Sequence, residues 1–236
     1  MCGRDGGFLV NPKGLTGADE LEVQIRAGGA VLAGNLVIPK SACGIVLFAH
    51  GSGSGRYSPR NRQVAEALQR RGLATLLLDL LTAEEEAIDA QTAHLRFDID
   101  LLAQRLVYAT DQIESDSETG GLRIGYFGAS TGAAAALVAA AARPRVVRAV
   151  VSRGGRVDLA RAAQPHVKAP TLLIVGGEDE MVVELNRDAL EGLQAVKKLV
   201  VIPGASHLFE EPGALAEVAR LAGNWFLEHL GGPKSE

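Results

Sequence analysis

This chain of 236 residues is poor in cysteine, in net charge and in long apolar runs. Cys2 and Cys43 are its only cysteines. Two cysteines make no disulfide framework, and no metal-type spacing is present. The net charge of −4 leaves no electrostatic footprint for nucleic acid. No low-complexity tract occurs, and the one short charge run, Glu84-Glu85-Glu86, reads as a solvated loop or a helix start. The longest apolar runs, 73–78 and 133–142, are about half of what spans a bilayer. The opening stretch "MCGRDGGFLVNPKG" has no basic start followed by an apolar core, so no signal peptide is read and a cytoplasmic protein is expected.

The chain has instead the composition of a globular domain, 47% apolar and 22% charged. Its length allows about three quarters of the unfolded surface to be buried. One domain over 1–236 is expected, with 1–19 as an irregular N-terminal segment. "LEVQIRA" and "AVLAGNLVIP" predict two opening strands joined at Gly28-Gly29. "GIVLFAH" (44–50) is a continuous apolar run, as in a strand buried on both faces. Ser58-Pro59 predicts a helix start, and that helix is expected to end near Gly72. The strand "LATLLLD" (73–79) leads through a loop to a long helix carrying Leu95, Ile99, Leu102, Leu106 and Ile113. Then come the strand 122–128, an alanine-rich helix from Thr131 to Arg143, and the strands "VVRAVVS", "TLLIVGG" and "KLVVIP". A helix at about 182–194 separates the last two, and a final helix opens near Pro212. Such alternation predicts an α/β fold, a mostly parallel sheet of about eight strands with helices on both faces.

In such sheets function collects at the carboxyl ends of the strands. "GYFGASTG" (125–132) lies at one of them and contains G-x-S-x-G, with Ser130 at its centre. A nucleophile there needs a sharp, strained turn, and side chains at Gly128 or Gly132 would obstruct it. The helix beginning at Thr131 aims free N–H groups at the same place. A glycine-rich strand-to-helix turn also suits a dinucleotide phosphate, so the turn alone leaves both readings open.

Three other strand ends bear on the choice. "GGEDEMV" puts Asp179 just past a strand, where an acid can orient an imidazole; Glu178, Glu180 and Asp158 compete, and a helix-capping role is the alternative. "PGASHLFEEP" offers His207 on a loop of small residues, as general base or as a mere surface histidine. His94 and His229 fall on helices, His166 in a proline-flanked loop, and His50 at the end of an earlier strand. The order Ser130, Asp179, His207 is that of α/β-hydrolases. "FAHGSGSG" lies where a second oxyanion donor is expected, so the N–H groups of Ser52 and Thr131 are the candidate oxyanion hole, with Gly53 in reserve. This stretch lacks the Lys-Ser/Thr of a P-loop and the spacing of a dinucleotide fingerprint.

Through "HGSGSG", "GYFGASTG", "VGGEDEMV" and "GASHLFEEP", residues 20 to 230 resemble the α/β-hydrolase superfamily, and within it the small, capless, dienelactone hydrolase-like serine hydrolases. The resemblance implies an α/β-hydrolase fold without a large cap domain, and hydrolysis of small soluble esters or lactones through an acyl-enzyme. Dienelactone hydrolases themselves use a cysteine nucleophile where this chain has Ser130, so the substrate stays open. Relatives of this type also occur joined to phosphoribosyltransferase domains; none is read in these residues. Acyl transfer or perhydrolysis on the same triad, and nucleotide or other ligand binding without turnover, are the alternatives.

About eighteen residues separate the strand ending at Ser152 from the one starting near Thr171, too few for a large lid, so an open site is expected. Its walls are assigned to loops 52–60, 80–91, 153–168 and 207–212. In "SRGGR", Arg153 and Arg156 follow a strand beside the nucleophile's and can fork onto a substrate anion, or else pair with acids of neighbouring loops. Arg56 and Arg60 are weaker candidates for the same role. No metal and no organic cofactor is implied. The expected partners are a small-molecule substrate and a second copy in a homodimer, with no nucleic acid and no membrane.

Overall fold

The structure is a computed structural model that describes residues 20–231. The N-terminal segment 1–19, with Cys2, lies outside the described residues. Eight strands form one sheet: β1 (Leu21–Ala27), β2 (Ala30–Val37), β3 (Gly44–Ala49), β4 (Ala74–Leu78), β5 (Arg123–Ala129), β6 (Val147–Arg153), β7 (Thr171–Gly176) and β8 (Lys197–Ile202). Their order is β1-β2-β4-β3-β5-β6-β7-β8. β1 and β2 pair antiparallel and β2 runs antiparallel to β4, while every pair from β4 to β8 is parallel. The chain winds one way from β3 to β4 and the other way from β5 to β8. Neighbouring β3 and β5 therefore flank the topological switch point, where ligands of open α/β sheets bind.

The central strands are apolar throughout because both faces are covered. In β3, Ile45, Leu47 and Ala49 enter one core while Val46 and Phe48 enter the other. The first core lies under α3 (Ile99–Ser115), α4 (Thr131–Ala142) and α5 (Glu180–Gly192), and the second under α1 (Pro59–Gln69) and α6 (Ala214–Leu230). α4 is buried nearly all round by alanines, whose small size lets the helix lie close to the sheet. Among the described residues no helix is long and apolar enough to cross a membrane.

Local signals explain most boundaries. Ser58 caps α1 by accepting from Asn61 N–H at 3.4 Å, with Pro59 at its first position. α1 ends at Gln69, before the left-handed Gly72 (φ +79). α6 begins at Ala214, two residues beyond Pro212, after left-handed Gly213 (φ +85).

One expectation is corrected. Residues 80–91, expected as a loop, largely form a helix, α2 (Ala83–Thr92). The Glu84–Glu86 run starts it. Thr82 Oγ1 accepts from Glu85 N–H at 3.2 Å, and the Glu85 carboxylate accepts from Thr82 N–H at 2.8 Å, a reciprocal cap. α2 buries only Asp89, so it shows no apolar stripe. It is tied down by Asp89–Arg96 at 2.6 Å and Glu85–Arg105 at 2.7 Å. The helix after it starts at Ile99, capped by Asp98 (3.0 Å from Leu101 N), and Leu95 falls in a separate 3₁₀ turn, 95–97.

The sheet and α6 meet without spare room. A methyl group on Gly125 would lie 2.8 and 2.9 Å from ring atoms of Phe226 and 3.1 Å from Leu230 Cδ1. Phe226 is fully buried and has nowhere to retreat. Gly125→Ala is expected to lower stability by about 1–3 kcal/mol, the usual cost of overpacking. Urea unfolding checks this: the midpoint should fall with its slope unchanged.

Candidate active site

The end of β5 and the start of α4 leave one residue between them, Ser130. Its backbone sits at φ 51, ψ −121, a region that costs a non-glycine residue about 1–3 kcal/mol. The surroundings hold it there. Ser130 N–H donates to Arg153 O at 3.1 Å, and Ser130 O accepts from Arg156 N–H at 3.0 Å and Ala133 N–H at 3.1 Å. Glycine is required on both sides for steric reasons. A Cβ on Gly128 would lie 2.7 Å from Gly132 O and 2.8 Å from Ala133 N, and one on Gly132 would collide with the carbonyls of Ala49 and His50. No side chain caps α4, so its first N–H groups face the turn.

The pairing of Ala49 with Gly128 brings the 50–55 turn against this corner. A Cβ on Gly51 would come within 3.0 Å of Ser130 Cβ. Ser52 Oγ and Thr131 Oγ1 are hydrogen-bonded at 3.1 Å, which ties the two candidate oxyanion donors to one place. Gly53, the reserve donor, has φ +65.

Two strands further along, His207 Nδ1 and Asp179 Oδ2 are 2.6 Å apart. The turns that carry them are locked together at Gly176, where any side chain would strike the carbonyls of Ala205 and Ser206. Glu178 N–H also donates to Ala205 O at 3.0 Å. The His207 ring lies over Gly154, whose added Cβ would sit 3.4 Å from ring Cε1 and Nδ1. Among the described residues Asp179 is the acid bonded to a histidine. Glu178 and Glu180 are exposed, and Asp158 is engaged with Arg156. His94 and His166 are exposed, and His229 packs against Trp225. The described hydrogen bonds include none between Ser130 and His207. Free enzymes often show this contact long and close it only around substrate.

The two arginines of "SRGGR" differ. Arg156 forks onto Asp158 with two bonds of 2.9 Å, so one face of its guanidinium is engaged within the loop. Arg153 is 8% exposed, and its Nη1 is buried with no hydrogen-bond partner. Among the described residues no carboxylate pairs with it. Burial, and then the nearby charge of Arg60, lower its pKa to about 10, so it remains a cation at neutral pH. Arg60 itself reaches Glu210 at 3.1 Å.

A cleft of about 820 Å³ opens on the oxyanion side, with Ser52, Thr131, Tyr57, Asp79, Arg60 and Glu86 on its walls. Ser130, Asp179 and His207 are not on those walls. One side of the cleft is fixed by Arg56, which bonds Asp79 at 2.5 Å and lies over the Tyr57 ring at 4.4 Å. Sequence reasoning singled out neither Asp79, which holds Arg56, nor the two hydrogen bonds of the His50 ring. An aspartate directly after a strand end was the available signal for the first; nothing local signals the second.

Comparison with known proteins agrees with this architecture. Residues 32–225 match the model of the Dienelactone hydrolase family. A crystal structure of a dienelactone hydrolase from Anabaena variabilis ATCC 29413 is 67% identical with a TM-score of 0.89, covering 90% of this chain and 98% of that one. Est1E from Butyrivibrio proteoclasticus shares the fold at 18% identity and a TM-score of 0.74, over 89% of this chain and 99% of its own. A Mycobacterium tuberculosis protein provisionally named a phosphoribosyl transferase is 58% identical over 213 residues, which are 90% of this chain and 47% of that protein. The chain thus spans about half the length of the curated relatives it matches.

Proposed function

The chain belongs to the dienelactone hydrolase family and is an α/β-fold hydrolase, and on that premise we propose that it cleaves small carboxylic esters or lactones with Ser130 as nucleophile, His207 as general base and Asp179 as its orienting acid. The observation that carries this reading is the 2.6 Å bond between His207 Nδ1 and Asp179 Oδ2, formed beside the strained Ser130 corner. With its Nδ1 proton held by the carboxylate, the neutral imidazole keeps Nε2 as a free acceptor.

The steps follow from those roles. Ser130 Oγ attacks the carbonyl carbon while His207 Nε2 takes the hydroxyl proton. The carbonyl π pair moves onto oxygen, and the N–H groups of Ser52 and Thr131 donate to that oxyanion. Collapse breaks the bond to the alkoxy oxygen, which leaves with the proton from His207. A water, deprotonated by His207, then attacks the acyl carbon; the bond to Ser130 Oγ breaks, His207 returns the proton to that oxygen, and the acid is released.

Arg153 refines the substrate class. A nine-tenths buried guanidinium without an acid partner, one residue from Gly154 and the His207 ring, favours an ester that carries a second, anionic group. Arg60, the nearby cation that helps to lower the pKa of Arg153, is itself paired with Glu210 at 3.1 Å. Arg156 is assigned to its loop by the Asp158 fork.

Ser130→Ala should abolish fluorophosphonate labelling and cut kcat for short acyl esters by about 10⁴-fold or more. Near-parental turnover in that variant would sink the nucleophile assignment. Asp179→Asn should cost a comparable factor, because an amide favours the wrong imidazole tautomer.

The arginine is tested by a ratio. Arg153→Met should lower kcat/KM for a monomethyl dicarboxylate relative to its dimethyl analogue by roughly ten- to a hundredfold, the worth of a desolvated charged hydrogen bond of about 1.5–3 kcal/mol. Arg156→Met should leave the ratio unchanged. An equal loss on both substrates in Arg153→Met would make that arginine structural.

A further inference from the structure

His50 ends the strand run that leads into the candidate oxyanion turn, and it is 7% exposed. Both of its ring nitrogens are bonded. Leu80 N–H donates to Nε2 at 3.1 Å, and Nδ1 lies 3.0 Å from Gly51 O. A backbone N–H can only donate, so Nε2 must be the bare nitrogen. The proton then sits on Nδ1 and is donated to the Gly51 carbonyl. One neutral tautomer satisfies both contacts, and the imidazolium cannot, because its Nε2–H would face the Leu80 N–H.

The Gly51 carbonyl and the Ser52 N–H belong to one peptide unit. That unit is planar and trans, so its C=O and N–H point in opposite directions. Fixing the carbonyl therefore fixes where the Ser52 N–H points. Ser54 N–H also donates to Gly51 O, at 3.2 Å, and the Ser52–Thr131 hydroxyl bond holds the far side of the unit. A side chain on Gly51 would come within 3.0 Å of Ser130 Cβ and 3.1 Å of Ala129 O, so this peptide lies next to the nucleophile's corner.

We propose that neutral His50 is a positioning residue, clamping the Gly51–Ser52 peptide to Leu80 so that the Ser52 N–H meets the developing oxyanion, and that protonation of His50 opens the clamp. This rests on the acyl-enzyme reading above. The charged groups around the ring are Asp79 after β4, Arg56 from the 50–58 turn bonded to Asp79, and Glu86 of α2 beside them. Burial lowers the pKa of His50, and it outweighs the Gly51 bond and the Asp79 charge, which act the other way. The folded state thus prefers the neutral ring. Its contribution is complete above the unfolded value of about 6.5 and is lost as the pH falls from there through the lower folded value.

The test uses the full chain, a neutral short-chain ester, and the variants His50→Gln and His50→Phe. Glutamine can accept from Leu80 N–H with Oε1 and donate to Gly51 O with Nε2, and it does not titrate. His50→Gln should keep kcat within about tenfold at neutral pH, and its acid limb should involve one proton fewer than the parent's. His50→Phe should lose about ten- to a hundredfold in kcat with KM little changed, its folding checked by circular dichroism. In ¹⁵N-labelled parent protein, His50 should show the Nδ1–H tautomer at neutral pH, and the Leu80 amide shift should move with its titration. An Nε2–H tautomer, or a His50→Phe enzyme as active as the parent at every pH, overturns the proposal. So does a His50→Gln enzyme whose acid limb matches the parent's. If the parent cleaves no ester, the functional reading fails separately, while the tautomer and the Leu80 shift still decide whether the clamp exists.

Discussion

There is no room for a methyl group between the first turn of α4 and the end of β3, and the site is built on that contact. At Gly132 any side chain would run into the carbonyls of Ala49 and His50. Because the two backbones touch, the turn after β3 is carried to the corner that holds Ser130. The strain of Ser130 is sustained by hydrogen bonds at both of its backbone groups, one to the Arg153 carbonyl at the end of β6 and one from the Arg156 N–H in the turn after it. Gly176 repeats the device on the other side, bringing the turn of Asp179 against that of His207. Two backbone contacts too close for side chains thus set the spacing of residues that lie far apart in the chain.

Among the described residues, several arginines at this end of the sheet are held in ion pairs, and Arg153 is not. Arg56 is neutralised by Asp79, and Arg156 by Asp158. These partly buried pairs stiffen the rim. Arg153 is left buried and unpaired, and a buried charge without a partner is costly. A fold does not gain stability from such a residue, which is the ground for the anionic substrate proposed above. α2 is the opposite case: it buries no apolar side chain and is held by its cap and by two partly buried ion pairs.

The strands were legible because both of their faces are buried, so "GIVLFA" and "TLLIVG" read as unbroken apolar runs. The helices with an apolar face were legible for the same reason. α2 was not, since a helix held by its cap and its charges leaves no periodic signal. Leu95 kept helical spacing with Ile99 and Leu102 although a separate turn carries it; spacing cannot register the break that the Asp98 cap imposes.

By itself the sequence determined the order of the strands' endings and the residue types they carry: serine between glycines after β5, acid after β7, histidine after β8. That order follows from chain connectivity and short-range sterics, which need no distant partner. Only the tertiary structure decided which of the acids near β7 faces His207, which arginine of "SRGGR" is free, and that His50 is bonded at both nitrogens. Each of these depends on groups brought together from separate strands. Two arginines three residues apart look alike in sequence, and they differ because one fork meets Asp158 while the other is buried and, among the described residues, meets no carboxylate.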